Sequence, residues 1–400
     1  MSEADVIMAN TCSVRDNAEQ RILGRLNQFV LERKQRKVVI GILGCMAERM
    51  KQELLDTGKV DVVAGPDAYR SLPEMIEAAK EGRAQINVEL SRSETYAQIA
   101  PRRVDTNGVS AFISIMRGCN NVCSYCVVPY TRGVERSRDS SSIVREACEC
   151  QRDGYKEVTL LGQNVDSYNC EGTSFARLLA MVADACPGMR IRFSTSNPQD
   201  ISDEVISTMA AYPNICHHIH LPAQSGSNRM LEKMRRRYTR EAYLEIVRKI
   251  REAMPDCAIS TDVIAGFCSE TLEDHEQTLS LFREVAFDSA YMFQYSERPG
   301  TLAAKKYPDD VPLDEKTRRL EEIIELQNSL SLESNRKDIG KTYEILVEGP
   351  SKRDDSQLCG RTMTNKMVIW TDSVHKPGDL VRVKILSCTQ ATLFGEENVK

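Results

Sequence analysis

The chain has 400 residues, 41% of them hydrophobic, and a formal net charge of −5, so it does not attract nucleic acid by global charge alone. Its length predicts two or three domains, each with a core of its own. No apolar run approaches the roughly 18 residues of a membrane span, and the N-terminus lacks the features of a secretory signal, so we expect a cytosolic protein with no membrane partner.

The apolar runs, taken in chain order, predict an α/β protein in three parts. Three strand-like runs with helices between them predict a small α/β domain over residues 1–92. From Val109 to Glu297 six apolar runs alternate with amphipathic helical patterns. This βα repetition predicts a parallel sheet closed into a partial barrel, within a domain over residues 105–337 that ends with a long helix. The β-type runs of residues 338–400 predict a small antiparallel barrel, an architecture often used to hold RNA.

The chain contains fourteen cysteines, whose number calls for a structural or chemical explanation. In a reducing compartment they cannot form a disulfide framework, so metal binding or catalysis is the expected use of clustered ones. Scattered cysteines such as Cys186, Cys216 and Cys388 are expected to be small buried apolar residues.

Arginine is concentrated in three short stretches. A run of this kind usually forms a solvated face of a helix or loop, and contact with RNA phosphates is the alternative. The stretches are "RRVD" from Arg102, "TRGVERSR" with Arg132, Arg136 and Arg138, and "MRRRYTR" with Arg235, Arg236, Arg237 and Arg240.

The segment "RGCNNVCSYCVVPYTRG" places Cys119, Cys123 and Cys126 directly after the first strand of the predicted barrel, where such folds carry their chemistry. A structural zinc site needs four ligands, and Cys148 and Cys150 in "CEC" fall within an apparent helix. A catalytic zinc with three ligands and a metal-free buried core are further alternatives. A four-iron cluster fits better, because three thiolates leave one iron free to bind a substrate.

CxxxCxxC with Tyr125 before its third cysteine resembles the signature of radical S-adenosylmethionine enzymes. The neighbouring motifs narrow the resemblance to the methylthiotransferases, most closely to the tRNA-modifying MiaB subgroup. These motifs are the extended cysteine segment, "LLGQNVDSY", "HLPAQSGSNRML", "YSERPGTLA" and, for the C-terminal TRAM domain, "VEGPSKRDDSQLCGRT".

The resemblance implies transfer of a methylthio group to C2 of isopentenylated adenosine at tRNA position 37, next to the anticodon. One S-adenosylmethionine methylates a sulfur on an auxiliary cluster. A second is cleaved at the cluster of Cys119, Cys123 and Cys126, and its radical removes the C2 hydrogen. The implied partners are a tRNA anticodon stem-loop, an electron donor such as flavodoxin or ferredoxin, and a sulfur donor. We expect a monomer.

The family's auxiliary four-iron cluster takes three cysteines, of which Cys12 in "NTCSVRDNAEQ" and Cys45 in "GILGCMAERM" match two. Each follows a strand-like run, so we expect both thiols at one end of one sheet. The first family cysteine lies in a segment resembling "TYGCQMN", upstream of the printed sequence. We expect either an N-terminally truncated version, with a sheet edge exposed, or an incompletely ligated cluster. A second departure is Cys268 in "GFCSET", which we expect to be a neutral loop substitution.

The resemblance and the positions after strands indicate further site residues. Tyr125, Gln163, Asn164, Gln224 and Ser225 are the candidate contacts to S-adenosylmethionine, although turn capping is an equal alternative for Gln224 and Ser225. The candidate RNA contacts are Arg132, Arg136 and Arg138 beside the iron site, and Lys352, Arg353 and Arg361 in the C-terminal barrel.

Three rival functions remain open. The chain could modify threonylcarbamoyl-adenosine in tRNA or an aspartate of a ribosomal protein. It could instead bind tRNA and keep its clusters without transferring sulfur, because the first auxiliary cysteine is missing. An iron–sulfur redox sensor is the third alternative, and it predicts no cleavage of S-adenosylmethionine.

Overall fold

The computed structural model describes residues 3–13, 16–99, 101–103, 107–371 and 374–398. The chain divides into two compact units. The first consists of Met1–Thr95, Arg117–Arg136 and Ser296–Lys306, and the second of Tyr96–Met116, Ser137–Tyr295 and Tyr307–Lys400. The division at residues 92, 105 and 337 therefore stays a prediction. No helix in the described part of the chain is long and apolar enough to cross a membrane.

The first unit contains a four-stranded parallel sheet whose strands follow one another in chain order. Both faces are covered, since Ile40 and Ile42 pack into one apolar cluster and Val39 into another. This explains why the central strand is an unbroken apolar run instead of an alternating one. The strands are Val6–Thr11, Val39–Gly44, Val62–Ala64 and Gln85–Asn87, and the helices are Asp16–Gln35, Cys45–Met50, Gln52–Asp56 and Leu72–Lys80.

Three of these four strands were predicted. The fourth, Gln85–Asn87, has three residues and a half-exposed pattern, so its sequence carries no apolar signal. Two further helices of the first unit are short, Val128–Arg132 after the cysteine segment and Leu302–Lys306 near Arg298.

Six parallel strands in chain order form the centre of the second unit, which confirms the predicted partial barrel. They form two three-stranded sheets, and a bridge between Ile191 and Ile215 joins the third strand to the segment before the fourth. The strands are Ser110–Ser114, Glu157–Leu161, Arg190–Ser194, His218–His220, Ala258–Ala265 and Ser289–Gln294.

Helices alternate with these strands, and their N-termini follow a common rule. Side chains of Asp, Ser or Thr accept the free backbone N–H groups of the first turn, and the Thr271 cap forms a reciprocal capping box with Asp274. The helices are Ser140–Arg152, Phe175–Ala185, Asp203–Ala211, Asn228–Lys233, Arg240–Ala253 and Leu272–Val285, and a small hairpin pairs Asn169–Cys170 with Thr173–Ser174.

The predicted long helix, Leu313–Arg336, leads into a closed five-stranded barrel around the buried Trp370. Four of its strands were predicted. The fifth, Gln357–Arg361, was missed because only Leu358 and Gly360 of "QLCGR" are buried. The strands are Thr342–Pro350, Gln357–Arg361, Met367–Thr371, Leu380–Cys388 and Leu393–Glu397.

The small barrel docks at the amino ends of the six central strands. Arg190, the first residue of its strand, donates from Nη1 to the carbonyl of Arg361 at 2.8 Å. The guanidinium of Arg192 donates to the carbonyl of Thr362 at 2.7 Å and to Glu157 at 2.8 Å. Because chemistry in parallel βα folds collects at the carboxyl ends, this docking leaves that end of the strands uncovered by the small barrel.

Candidate functional site

The cysteine segment of the first unit begins with a turn that only glycine can form. Gly118 has a φ of 75°, and a Cβ built on it would lie 2.1 Å from the carbonyl oxygen of Val134. The backbone N–H of Cys119 donates to the carbonyl of Gly133 at 3.2 Å, so the two ends of the segment close on each other. The segment is thus a closed loop that leaves its three cysteines half-buried.

Backbone N–H groups point at two of the three sulfurs. The N–H of Asn121 donates to Cys119 Sγ and the N–H of Val128 donates to Cys126 Sγ, each at 3.4 Å. Burial raises the pKa of the Cys119 thiol, and the N–H of Asn121 acts in the opposite direction. Such donors stabilise thiolates, and hydrogen bonds to sulfur are one of the levers that tune iron–sulfur clusters.

The donor set suits a cluster better than a single ion. In the described part of the chain, no three His, Cys, Asp or Glu side chains are gathered as the ligands of one metal ion. A four-iron cluster takes each thiolate on a different iron, so its ligands need not converge on one point. Three half-buried thiols on one closed loop, two of them with N–H donors at sulfur, fit that requirement.

Asp67 ties both flanks of the cysteine loop to the sheet of the first unit. Its fully buried carboxylate accepts Arg136 Nη1 at 2.8 Å and Arg117 Nη2 at 3.3 Å. Arg136 also donates to the carbonyls of Ser91 and Arg132. The prediction that Arg136 contacts phosphate is therefore wrong for this structure, because its guanidinium is buried in this ion pair.

Cys12 and Cys45 follow two adjacent parallel strands at the same end of the sheet. The register pairs Thr11 with Gly44, so each cysteine stands one residue beyond a paired position. Thr11 Oγ1 donates to the carbonyl of Leu43 at 2.6 Å and accepts the N–H of Met46 at 3.3 Å, which fixes the two strand ends together. Cys12 is exposed, whereas Cys45 is buried at the start of its helix.

Two further contacts of the first unit support the cysteine loop. The carbonyl of Ser124, which is completely buried, accepts the N–H of Ala303 at 2.7 Å. This bond places part of the "YSERPGTLA" motif against the loop. Tyr125, between Ser124 and Cys126, is half-buried.

Gln163 and Asn164 follow the second strand of the barrel, in the second unit. Asn164 Nδ2 donates to Asp200 Oδ2 at 2.6 Å. The amide oxygens of Gln163 and Asn164 are enclosed and have no hydrogen-bond partner among the described residues. Buried amide oxygens normally have a partner, so both are suited to accept a hydrogen bond from a bound molecule.

Gln224 and Ser225 differ in what their side chains do. Gln224 has a left-handed φ of 65° and is buried, and its side chain makes no hydrogen bond within the described residues. Ser225 Oγ accepts the N–H of Ser227 at 3.2 Å and lies 3.4 Å from Thr278 Oγ1. Ser225 therefore caps a turn, whereas the Gln224 side chain is available to a ligand.

Two polar groups of the second unit were not predicted. Asp166 has an enclosed carboxylate that accepts the N–H of Asn197 at 2.9 Å, and burial raises its pKa to about 7. Ser260 Oγ bridges His218 and His220 at 3.1 and 3.0 Å, and burial lowers the pKa of His218 to about 3. Asp166 belongs to the "LLGQNVDSY" motif and could have been identified there. The histidine pair could have been identified only from the alternation of side chains along its strand, which places His218 and His220 on one face.

The other residues predicted to contact RNA differ in their burial and in their ion pairs. Arg138 is buried, where it forms an ion pair with Glu146 and donates to Ser142, so its predicted phosphate contact is also wrong. Arg361 forms an ion pair with Glu348 at 3.1 Å. Four of the predicted RNA contacts keep some or all of their surface exposed, namely Arg132, Lys352, Arg353 and Arg361.

The other cysteines include Cys148 and Cys150, which the zinc alternative would use as additional ligands. Cys148 and Cys150 lie on the helix Ser140–Arg152, as predicted, and Cys148 Sγ is 3.9 Å from Cys186 Sγ. Cys186 and Cys216 are buried, but Cys388 is only half-buried, contrary to the prediction. The substituted Cys268 is buried as well, and burial raises the pKa of its thiol.

Three family models match the chain. The Radical SAM superfamily matches residues 113–282, the uncharacterized protein family UPF0004 matches residues 1–65, and the TRAM domain matches residues 336–396. Membership of the Radical SAM superfamily implies a four-iron cluster and S-adenosylmethionine.

Solved structures agree on the fold. The radical S-adenosylmethionine methyltransferase TsrM from Kitasatospora setae is similar with a TM-score of 0.60 at 18% identity, over 75% of this chain and 64% of that one. The cobalamin-dependent S-adenosylmethionine radical enzyme OxsB gives a TM-score of 0.54 at 13% identity, over 80% of this chain and 48% of that one. At these identities the likeness concerns the fold alone.

Curated relatives match nearly the whole chain. A protein of Phocaeicola vulgatus is 56% identical over 403 residues, which cover 99% of this chain and 88% of the relative. One from Amoebophilus asiaticus is 57% identical over 412 residues, covering 98% of this chain and 85% of the relative. Both relatives are named tRNA-2-methylthio-N(6)-dimethylallyladenosine synthase. The chain therefore belongs to the family of tRNA-2-methylthio-N(6)-dimethylallyladenosine synthases, within the radical SAM superfamily.

Proposed function

We propose that this chain adds a methylthio group to C2 of N6-isopentenyladenosine next to the anticodon of tRNA. One observation carries the proposal: two helices, each adjacent to one set of cysteines, pack together within the first unit. The helix that begins at Cys45 packs against the helix that follows Cys126. Methylthiolation needs both a site that generates a radical and a site that delivers sulfur, and this packing supports their proximity.

The three cysteines of the closed loop are proposed to hold the radical-generating cluster. When bound there, a four-iron cluster with one iron free of protein ligands supplies the electron that cleaves S-adenosylmethionine reductively. The loop's own task is geometric. Gly118 permits the turn, Asp67 fixes both flanks, and the N–H groups of Asn121 and Val128 stabilise the thiolates.

Cys12 and Cys45 are proposed as ligands of the auxiliary cluster that delivers sulfur. Two observations support this assignment. Both cysteines lie at the same end of one sheet, and the hydrogen bonds of Thr11 Oγ1 join the two strand ends. The exposure of Cys12 leaves this site open to an external sulfur donor.

Gln163, Asn164 and Gln224 are proposed to contact the amino, carboxylate or ribose groups of S-adenosylmethionine. The enclosed amide oxygens of the first two suit donors such as an ammonium group or a ribose hydroxyl. Tyr125 is proposed to pack beside the nucleoside. Ser225 is left out, because its hydroxyl caps a turn.

The proposed RNA contacts that remain are Arg132, Lys352, Arg353 and Arg361. Each retains exposed surface with which to meet a phosphate group. The reaction also calls for an electron donor such as flavodoxin or ferredoxin and for a sulfur donor, and we propose a monomer organised as domains 1–92, 105–337 and 338–400.

The overall change at the base is balanced by two molecules of S-adenosylmethionine. A C2–H bond breaks and a C2–S bond forms, and the hydrogen leaves on 5′-deoxyadenosine together with methionine. The second molecule supplies the methyl group of the methylthio substituent and leaves as S-adenosylhomocysteine. External reductant supplies the electron for cleavage, the sulfur donor supplies the sulfur atom at the oxidation level of sulfide, and one electron is released when the C2 radical bonds to that sulfur.

The test is a single reconstituted reaction. The full chain, loaded with iron and sulfide, is incubated with S-adenosylmethionine, reductant and tRNA that carries isopentenyladenosine but no methylthio group. Mass spectrometry of the digested nucleosides should show 2-methylthio-N6-isopentenyladenosine. Cleavage of S-adenosylmethionine without that nucleoside would contradict the proposal.

A matched tRNA separates the rival substrates. tRNA carrying threonylcarbamoyl-adenosine in place of the isopentenylated base should give no methylthio product. Product from that tRNA alone would move the chain to the other tRNA-modifying branch.

A further inference from the structure

The third arginine stretch lies at the carboxyl ends of the barrel strands. Residues 234–239 join the helix Asn228–Lys233 to the helix Arg240–Ala253. In a βα unit the helix begins where the preceding strand ends, so this connection lies at the carboxyl edge of the sheet. The small C-terminal barrel docks at the amino ends, and it does not cover this edge.

Arg236 and Tyr238 anchor the connection to two neighbouring strand ends. Arg236 Nη2 donates to Asn197 Oδ1 at 3.2 Å, in the loop after the third strand. Tyr238 Oη lies 3.0 Å from the carbonyls of Pro222 and Ala223, in the loop after the fourth strand. The guanidinium of Arg236 also lies over the Tyr238 ring, 5.1 Å from its centroid. The connection is therefore held at two points.

The two residues on either side of Arg236 are exposed to solvent. Arg235 and Arg237, hereafter the rim arginines, are exposed, and neither side chain has a hydrogen-bond or ion-pair partner in the described ranges. Arg235 also has a left-handed φ of 56°. Backbone of this kind is unfavourable for a residue with a Cβ and is expected where the surrounding structure imposes it.

In the two other arginine stretches most guanidinium groups are buried or paired, although Arg102 is exposed and Arg132 is half-buried. Arg136 and Arg138 are buried in ion pairs, and Arg103 is paired with Glu146 at 2.5 Å. The rim arginines thus stand out, within the described residues, as unpaired cations at the end of the barrel where the reaction is proposed to occur.

We propose that the rim arginines form an interaction surface for RNA, in which Arg235 and Arg237 contact backbone phosphates beside the nucleotide that enters the barrel. The proposal rests on the proposed function and adds a phosphate-binding surface on the barrel itself. The anchored connection holds the backbone of both residues in place, and guanidinium matches phosphate geometry. Such contacts position the RNA without reading its sequence.

The test compares two double variants of the full, reconstituted chain. Arg235→Gln with Arg237→Gln removes the rim arginines. Arg145→Gln with Arg177→Gln removes two other exposed arginines from the helices Ser140–Arg152 and Phe175–Ala185, which also lack ion-pair partners among the described residues. The probe is an RNA hairpin with the anticodon stem and loop of an isopentenylated tRNA. Affinity is measured as a function of salt concentration.

We expect the rim variant to bind more weakly and to lower the slope of log affinity against log salt by about 2, which is about one for each phosphate that the protein no longer neutralises. The control variant should keep the slope of the unmodified chain. Equal slopes for the unmodified chain and the rim variant would overturn this inference. Failure of the unmodified chain to bind the hairpin at all would instead count against the proposed function.

A second variant separates an RNA role from a structural one. Arg235→Gly relieves the left-handed backbone, so its thermal unfolding midpoint should equal or exceed that of the unmodified chain. Its RNA affinity should fall all the same, with a slope lower by about 1. Unchanged affinity in this variant would show that Arg235 does not contact RNA.

Discussion

The two units use the carboxyl ends of their parallel strands differently. In the first unit that end carries Cys12 and Cys45, and the loop of Cys119, Cys123 and Cys126 belongs to the same unit. In the second unit it carries amide, carboxylate and guanidinium groups such as Asn164, Asp166 and Arg236. In the proposed function one unit thus supplies soft donors for iron, and the other supplies hydrogen bonds for nucleosides and RNA.

The difference teaches how each kind of site is kept in place. The thiols depend on closed backbone turns and on a single buried carboxylate, Asp67. The polar groups of the barrel depend on hydrogen bonds of their side chains between neighbouring loops. Variants can therefore damage one site while they leave the other intact.

The largest expected effect comes from Asp67→Asn. It leaves Arg117 and Arg136 without a carboxylate, and breaking a buried ion pair in this way costs about 3–5 kcal/mol. Iron retained by the cysteine loop should fall as well. Denaturant unfolding and iron content measure both effects. The control is Glu77→Gln, which breaks an exposed pair with Lys80 and should cost less than about 0.5 kcal/mol. Similar unfolding curves for both variants would contradict the role of Asp67.

Arg192→Met should destabilise the second unit and leave the stability of the first unit unchanged. Glu157 and the carbonyls of Thr362 and Met363 would each lose one donor, and we expect a cost of about 3 kcal/mol. Limited proteolysis should release the C-terminal barrel sooner than in the unmodified chain. Iron content should stay the same, and a parallel loss of iron would show that the two units are not independent.

Asp166→Asn tests the buried carboxyl of the barrel through its pH dependence. The folded pKa is raised to about 7 by burial, so the stability due to the neutral acid is present below about pH 4 and is lost as the pH rises towards 7. The variant does not ionise. The unfolding free energy of the variant, relative to that of the unmodified chain, should rise across this range by about 4 kcal/mol and then level off. A constant difference in unfolding free energy would contradict an ionising, enclosed Asp166.

The smallest expected effect is local to one helix of the barrel. Thr271→Ala removes the capping box at the start of Leu272–Val285 and should cost about 1 kcal/mol. Thermal unfolding measures it, and iron content serves as the control. A loss much greater than this would show that the cap also supports the neighbouring ion pair of Asp274 with Arg229.

The sequence alone was enough to predict those features that depend only on the spacing of residues along the chain. The three cysteines, the six alternating βα units and the paired positions of Cys12 and Cys45 all follow from short patterns that the fold preserves. The strand Gln85–Asn87 was missed because an edge strand of three residues needs only backbone pairing.

Side chains that depend on distant partners could not be predicted. Arg136 meets Asp67 across 69 residues of sequence, and Arg138 is enclosed with Glu146 on a neighbouring helix. The segment "TRGVERSR" resembles "MRRRYTR" in its density of arginine. Two of its three arginines are nevertheless buried in ion pairs, whereas Arg235 and Arg237 of "MRRRYTR" are exposed and unpaired among the described residues. Tertiary packing alone decides which positive charges remain for RNA.

The central claim is that two sets of cysteines in the first unit hold two separate clusters. Iron and labile sulfide should be measured after anaerobic reconstitution of three proteins. They are the unmodified chain, the Cys119→Ala, Cys123→Ala, Cys126→Ala variant, and the Cys12→Ala, Cys45→Ala variant. We predict about eight irons in the unmodified chain and about four in each variant. About four irons in the unmodified chain, with none remaining in the triple variant, would contradict the claim.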